Sequence, residues 1–225
     1  MTRTLLLTRP KADAERLAAA FGEGVDVIVA PVLKIAYLDG EIARGDEQAV
    51  MLTSRHAVPS ARRLAPDVPC YCVGDATAAA AREAGLKAVS ASGAMPDLVG
   101  ILLRDGVKSV LYLQGRHTRP DTAQRLASAD IQARSVVVYD QVERAWKPKE
   151  IEKIAKAEAI VLPVFSPRSA ALIAPRLDNF SGDLTIVAIS DAAAQAWDGS
   201  AKTKIVIADR PDAQSMRQAM ESQLA

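Results

Sequence analysis

The 225-residue sequence contains few of the residue types that mark metal sites. It has two cysteines and two histidines, and neither a C-x-x-C nor an H-E-x-x-H spacing occurs. These counts and spacings do not indicate a metal site. Cys70 and Cys72 are only two residues apart, too close for an ordinary disulfide. We interpret them as small apolar residues of a buried strand.

Excess charge and long apolar runs are also missing. The formal net charge is +1, so no global field would attract nucleic acid or a membrane surface, and an acidic ligand must be held by a local arrangement. The leucine run that ends before Thr8 is far shorter than a secretory or membrane-spanning segment. We therefore expect a cytoplasmic protein that binds neither nucleic acid nor membrane. No heptad repeat or large apolar tail demands assembly, so we expect a monomer.

Apolar residues nevertheless make up 49% of the chain, with 4% aromatic, and most of them are Ala, Val, Leu and Ile. Strand-length apolar runs alternate with segments of helical periodicity. Gly85, which follows one such segment, is typical of the residue that ends a helix before a strand. This alternation predicts an α/β protein with parallel sheets and right-handed crossovers. The runs span residues 4–8, 25–30, 49–53, 70–74, 109–115, 134–139, 159–165, 185–190 and 204–208.

The chain resembles itself at a distance of about 110 residues. "TSRHAV" followed by "CYCVGDATAAAAREAG" is echoed by "FSPRSAA" followed by "IVAISDAAAQAWDG". Two extended crossings, "PVLKIAYLDGEIARGDEQ" and "YDQVERAWKPKE", separate the repeated parts. We expect two lobes: residues 1–36 with 143–225 form the first, from both chain ends, and residues 37–142 form the second. A cleft between lobes joined by a double hinge follows from this prediction.

Hydroxyl and glycine residues follow most of the predicted strands. In parallel sheets the carboxyl ends of the strands meet at one edge, where ligands bind. A hydroxyl before a helix can simply cap the free N–H groups of its first turn, but those N–H groups also attract carboxylates. Several such turns at one edge favour a polyanion site. Its predicted residues are Thr8 with Arg9, Thr53 with Ser54, Gly74 with Thr77, Gly115 with Arg116, Ser166 with Ser169, and Ser190.

Charged and titratable residues at these turns have two interpretations each. Arg9, Arg55, Arg116 and Arg168 could reach a carboxylate or could be surface residues. His56 could transfer a proton near neutral pH, but no partner in the sequence promotes it to a catalytic base, which favours a polar contact at the rim of the site.

Tyr139, at the end of "SVVVY", could pack with a local hydrogen bond or could act as a general acid. The sequence contains no nucleophile elbow, Walker loop or dinucleotide fingerprint. An enzyme of this kind would work by positioning a reactive substrate and excluding water.

Five segments in order, "LLLTRP", "MLTSRHAV", "CYCVGDATAAAAREAG", "VVVYD" and "VFSPRSAA", resemble the uroporphyrinogen-III synthase family. The resemblance covers nearly the whole chain. It implies two flavodoxin-like lobes joined by a two-stranded connector, and a cofactor-free cyclising lyase of tetrapyrrole biosynthesis. The implied substrate is hydroxymethylbilane, whose terminal hydroxyl is expelled before the last pyrrole ring is inverted and the macrocycle closes. A transient handover from the preceding pathway enzyme is a further expectation.

The resemblance also assigns roles. Tyr139 matches the tyrosine that assists hydroxyl loss, and the strand-end turns match those that line the cleft. Ser190 and Ala193 stand where the family often has glycine and threonine, and His56 replaces an asparagine or arginine. At the first departure, either backbone N–H groups suffice or Ser190 supplies the hydrogen bond that relatives offer there. The change at His56 suits a contact at the rim of the site more than a required base. A non-catalytic two-lobe protein that binds an anionic small molecule remains the alternative.

Overall fold

The computed structural model describes residues 3–22, 24–38, 40, 42–93, 95–118, 121–199 and 203–225. Within these residues, strands and helices alternate along the chain, as the hydrophobic pattern predicts. The strands are β1 (Arg3–Leu7), β2 (Asp26–Val29), β3 (Leu33–Tyr37), β4 (Ala49–Leu52), β5 (Cys70–Cys72), β6 (Ala88–Ser90), β7 (Ser109–Gly115), β8 (Gln132–Glu143), β9 (Ala159–Val164), β10 (Asp183–Ala188) and β11 (Lys204–Ile207).

The helices lie between successive strands or after the last strand, and the described residues contain no helix between β2 and β3 or between β3 and β4. They are α1 (Lys11–Ala19), α2 (Val58–Leu64), α3 (Asp75–Glu83), α4 (Met95–Arg104), α5 (Thr122–Ala127), α6 (Pro148–Lys156), α7 (Pro167–Ile173), α8 (Asp191–Gln195) and α9 (Ala213–Leu224), with short 3-10 helices at Arg55–Ala57 and Ala174–Arg176. Gly85, after α3, has φ +85°, a left-handed conformation that glycine adopts without strain.

The chain divides into two compact units. Unit 1 comprises Met1–Lys34 and Glu143–Ala225, and unit 2 comprises Ile35–Val142. The predicted lobes, residues 1–36 with 143–225 and residues 37–142, and the cleft between them stay a prediction. The predicted first crossing includes Asp39 and Glu41, which lie outside the described residues.

The sheet of unit 1 has the order β11-β10-β9-β1-β2, and its described pairings are parallel. Numbered along this unit, the order is 2-1-3-4-5, that of flavodoxin-like proteins. Helices cover both faces. Leu6, Leu162 and Ile186 pack on one side, towards α6, α7 and α8, and Leu5 and Leu7 pack on the other with Met216 and Met220 of α9. The predicted α/β class with parallel sheets is therefore confirmed.

The sheet of unit 2 has the order β3-β8-β7-β4-β5-β6. The pairings from β8 to β6 are parallel, and their order along this unit is another doubly wound one, 3-2-1-4-5. Leu52, Leu111 and Leu113 pack on the face towards α2 and α3, whereas Met51 and Tyr112 pack on the face towards α4 and α5.

β3 and β8 are the two segments on which the chain passes from one unit to the other. The Leu38 N–H donates to the Val138 carbonyl at 3.0 Å, and the Arg144 N–H donates to the Val32 carbonyl at 2.8 Å. Residue numbers fall along one strand as they rise along the other, so the two strands run antiparallel. At the unit 1 end the indole N–H of Trp146 donates to the Ala30 carbonyl at 2.8 Å.

The cysteines behave as the sequence predicts. Both are free and buried, and their Sγ atoms are 3.9 Å apart. The hydrogen bond to Cys72, with burial, raises the pKa of the Cys70 thiol. Cys70 is therefore a neutral thiol at physiological pH.

Two kinds of feature are absent from the described ranges. None of their helices is long and apolar enough to cross a membrane. No group of three or more His, Cys, Asp or Glu side chains in them could hold a metal ion.

Candidate active site

The order of strands in unit 2 reverses beside β4. β5 and β6 follow on one side of β4, whereas β7 and β8 lie on the other side. Loops that leave neighbouring strands in opposite directions open a crevice at the carboxyl ends of those strands. The turns of this switch point contain Thr53, Ser54 and Gly115, three of the predicted site residues.

Ser54 is an N-terminal cap in the structure. Its backbone is extended, with φ −150° and ψ 141°, and its Oγ accepts a hydrogen bond from the His56 N–H at 3.3 Å. Its hydroxyl accepts from an N–H group of the 3-10 helix Arg55–Ala57 that has no partner within that helix. The interpretation of Ser54 as a helix cap therefore holds. A role of the same residue in ligand binding stays a prediction.

Thr53, the preceding residue, is joined to the neighbouring strand. Its Oγ1 lies 3.2 Å from the hydroxyl of Tyr112, a fully buried residue of β7. This bond crosses the switch point and fixes the start of the turn relative to β7. Tyr112 is not among the predicted site residues; its signal in the sequence is a phenol within the apolar run "VLYL".

Tyr139 lies against two other predicted site residues. Its ring covers Gly115, with which it pairs in register across β7 and β8. The rings of Tyr139 and His56 meet edge to face, with centroids 5.6 Å apart and planes inclined at 62°. Tyr139 is only 6% exposed, so its hydroxyl direction is set by surrounding atoms. The structure thus brings Tyr139, Gly115 and His56 together.

Arg116 is already paired with a carboxylate. Its Nε donates to Asp140 Oδ2 at 2.8 Å, and His117 Nε2 lies 3.2 Å from Asp140 Oδ1. Asp140 therefore opposes the charge that Arg116 would offer to a ligand. Asp140 and His117 are not among the predicted site residues, although they directly follow two of them, Tyr139 and Arg116 respectively.

Gly74 and Thr77 lie at the start of α3, which follows β5. Gly74 has an extended backbone, and among the described residues no atom beyond its two chain neighbours lies within 4 Å of the position a Cβ would take there. Thr77 is buried, and its N–H donates to the Gly74 carbonyl at 3.0 Å. The open space at Gly74 suits the approach of a ligand to backbone N–H groups. Little of the Thr77 side chain is accessible, and its direct contact with a ligand stays a prediction.

Unit 1 has a switch point of its own, because β2 lies on one side of β1 whereas β9, β10 and β11 lie on the other. Thr8 is buried at the end of β1. The Arg9 guanidinium lies over the Phe165 ring at 4.5 Å and pairs with the buried carboxylate of Asp13 at 3.3 Å. Arg9 is therefore held in place on the protein rather than extended into solvent.

Serine hydroxyls cap helices α7 and α8 of unit 1. Ser166 Oγ accepts from the Ser169 N–H at 3.1 Å, and Ser169 Oγ donates to the Ser166 carbonyl at 2.9 Å. Ser190 Oγ accepts from the Ala193 N–H at 3.4 Å. The serine that stands where the family often has glycine thus engages a backbone donor of the α8 turn itself. Binding of a substrate by these three residues stays a prediction.

The two sheets and the polar turns at the ends of their strands define the class of protein. It is a two-unit, doubly wound α/β protein, and this arrangement binds small molecules. Over residues 15–218 the chain matches the family described as "Uroporphyrinogen-III synthase HemD". The chain belongs to the uroporphyrinogen-III synthase family. Comparison with the curated proteins gave no significant match.

Solved structures support the fold. Uroporphyrinogen-III synthetase from Helicobacter pylori is 17% identical and superposes with a TM-score of 0.68, over 99% of this chain and 100% of that one. A mutant uroporphyrinogen III synthase from Thermus thermophilus is 15% identical with a TM-score of 0.50, over 100% of this chain and 99% of that one. At these identities the similarity concerns the fold.

Proposed function

We propose that this protein is a uroporphyrinogen-III synthase, a lyase that converts hydroxymethylbilane to uroporphyrinogen III. The observation that carries the proposal is the family match over residues 15–218, which includes the sheet of unit 2 and every strand of the unit 1 sheet except β1. The reaction removes water, inverts the last pyrrole ring through a spiro intermediate and closes the macrocycle. No observation on the chain favours the alternative of a non-catalytic binding protein.

The proposed chemistry begins with departure of the terminal hydroxyl. The carbon–oxygen bond of the hydroxymethyl group breaks as the Tyr139 phenol donates a proton to the leaving oxygen, and water leaves. The electron-rich pyrrole supplies the electron pair that expels it. Ring closure later releases one proton from a pyrrole carbon, so the sequence of steps consumes no net proton.

The remaining work of the protein is to hold the substrate in the shape that leads to inversion. The unaided molecule closes without inversion, so catalysis consists mainly of folding the substrate and orienting the reacting ring. We propose that the strand-end turns bind its carboxylates through backbone N–H groups and hydroxyls. Thr53 and Ser54 are the best placed for this, because hydrogen bonds on both sides fix their turn.

Location and substrate delivery belong to the same proposal. We place the enzyme in the cytoplasm and expect it to act as a monomer. Because free hydroxymethylbilane closes spontaneously to the symmetric isomer, a transient handover from the enzyme that makes it would limit that loss. A coupled assay would test this: adding the preceding enzyme should lower the symmetric fraction below that obtained with preformed substrate at equal flux.

The test of the main proposal is the isomer formed. Freshly prepared hydroxymethylbilane is incubated with the purified protein, and the products are separated as isomers I and III. Predominant isomer III supports the synthase function. Isomer I alone, formed at the rate of the protein-free control, would show that the proposed activity is wrong. Binding without any acceleration would favour the binding-protein alternative.

A further inference from the structure

The side chain of Tyr139 lies on the face of the sheet that also carries Leu111 and Leu113. It lies there because the register between β7 and β8 is irregular at this point. The register with β7 pairs Gln114 with Val137 but Gly115 with Tyr139, so Val138 is an extra residue with no partner of its own in β7. Successive residues of a regular strand point to opposite faces. The extra residue is a β-bulge, and bulges commonly re-aim a side chain near a functional site.

The effect of the bulge is visible in the packing. Val138 and Tyr139 are consecutive, yet both belong to the buried cluster that contains Leu111 and Leu113. Regular alternation would have sent one of them to the opposite face, towards α4 and α5. The bulge therefore places the phenol on the face of Gly115, where α2 and the 3-10 helix before it also pack.

Gly115 makes room for the phenol. A Cβ built at this position would lie 2.6 Å from Cζ, 2.7 Å from Cε2 and 2.8 Å from the hydroxyl oxygen of Tyr139. These distances are far below van der Waals contact, and the nearest atoms belong to a rigid ring rather than to a flexible chain end. Any side chain at position 115 would displace the hydroxyl-bearing end of Tyr139.

His56 bounds the ring from another direction. The edge-to-face contact at 5.6 Å is a favoured aromatic geometry. The N–H of His56 is bound by the Ser54 cap, so this neighbour is held by its own turn. The Tyr139 ring is therefore in contact with the fixed ring of His56 as well as with strand β7.

We propose that Gly115 is a positioning residue: with the bulge at Val138 and the ring of His56, it fixes the phenol of Tyr139 where proton donation occurs. The predicted role of Gly115 at the substrate is thereby extended to Tyr139 itself. The inference rests on the proposed function only for the proton donation. The steric relationship holds whatever the substrate is.

The test compares Gly115→Ala with Gly100→Ala. Gly100 is an exposed residue of α4 with nothing within 4 Å of a Cβ position, so its substitution matches the chemical change without the clash. We expect Gly115→Ala to lower kcat by about 100-fold, the effect of a misplacement of about 1 Å, with KM within about twofold. Gly100→Ala should leave both unchanged. Wild-type kcat in Gly115→Ala would overturn the inference.

Nuclear magnetic resonance of the histidine rings provides a readout that needs no activity. The chain has two histidines, and a His117→Gln variant assigns their signals. Because the Tyr139 ring lies beside His56, its displacement in Gly115→Ala should shift the His56 ring signals, and Gly100→Ala should not shift them. Unchanged His56 signals in a folded Gly115→Ala protein would contradict the steric argument.

A double substitution covers the case in which Gly115→Ala folds poorly. In a Tyr139→Ala background the ring that the new methyl group meets is gone, so Gly115→Ala should no longer lower the thermal midpoint. An equal loss in both backgrounds would overturn the inference. If the wild-type enzyme forms only isomer I, the proposed function fails, but this stability comparison still decides the role of Gly115.

Discussion

The hydroxyl of Tyr112 lies 3.2 Å from Oγ1 of Thr53, and this hydrogen bond joins the turn after β4 to the adjacent strand β7. Tyr112 has no exposed surface, so its hydroxyl depends on this partner for its hydrogen bonding at the edge of the sheet. A buried side chain thereby controls a turn that we propose binds substrate.

Tyr112→Phe should therefore affect stability and substrate binding together. Loss of the hydrogen bond should lower the free energy of unfolding by about 1 kcal/mol. KM should rise about fivefold as the Thr53 turn loosens, which corresponds to about 1 kcal/mol of binding. Urea unfolding and steady-state kinetics measure the two effects.

Tyr71→Phe is the matched control. The Tyr71 hydroxyl donates to Asp105 at 3.0 Å, away from the strand-end turns, so its loss should cost similar stability without changing KM. Equal KM values for the two variants would mean that the Tyr112 bond is only structural.

Tyr139→Phe should lower kcat by about 100-fold and leave KM nearly unchanged. The ring remains against Gly115 and His56, so the change removes the acid without removing the packing. Rates of isomer III formation at saturating substrate provide the measurement. Wild-type turnover in this variant would remove Tyr139 from the mechanism.

Ser54→Ala separates capping from substrate binding. Loss of the cap should lower the free energy of unfolding by about 1 kcal/mol, and KM should rise because the turn also binds a carboxylate. The control is Asp212→Ala, since Asp212 Oδ1 caps α9 at 2.8 Å from the Ser215 N–H but is not a predicted site residue. If both variants lose stability and neither changes KM, Ser54 is only a cap.

The pH dependence of stability should depend on Glu47 and Arg134. The hydrogen bond from Arg134 holds the pKa of the buried Glu47 carboxyl below its ordinary range. A lowered folded pKa stabilises the protein fully above the unfolded value of about 4.3, and this stabilisation is lost as pH falls through the folded pKa.

Arg134→Met should accordingly lower the free energy of unfolding by about 1.5 kcal/mol at pH 7, and the deficit should shrink at about pH 3. Urea unfolding at both pH values measures it. Arg125→Met, which breaks an exposed pair with Asp121, should change stability by less than about 0.5 kcal/mol at either pH. A deficit for Arg134→Met that is independent of pH would contradict the assignment.

Much of the fold could be predicted because strand-length runs such as "AIVLPV" are fully buried and bounded by turn residues. The strand ends predicted from these runs differ from the observed ends by one or two residues in most cases, a usual error of boundary prediction. The short strand β6 and the strand order of the second sheet carried no such direct signal, since both depend on pairing between distant segments.

The candidate site was less predictable than the fold. Tyr139 could be selected from its place at a strand end, but a bulge at Val138 cannot be read from "SVVVYD", because the register with β7 creates it. The pairing of Arg116 with Asp140 had the same origin, since two neighbouring strands bring the residues together from 24 positions apart. Sequence spacing gives no measure of such cross-strand distances.

The division of unit 1 into two chain segments has a consequence for the order in which the protein is made. β1 pairs with β9, whose first residue is Ala159, so the first strand has no inner neighbour until the intervening unit 2 has left the ribosome. Unit 2 is continuous in sequence and can collapse during synthesis. Meanwhile the edge of β1 that later pairs with β9 stays unpaired and its apolar side chains stay exposed, and surfaces of this kind promote the association of nascent chains.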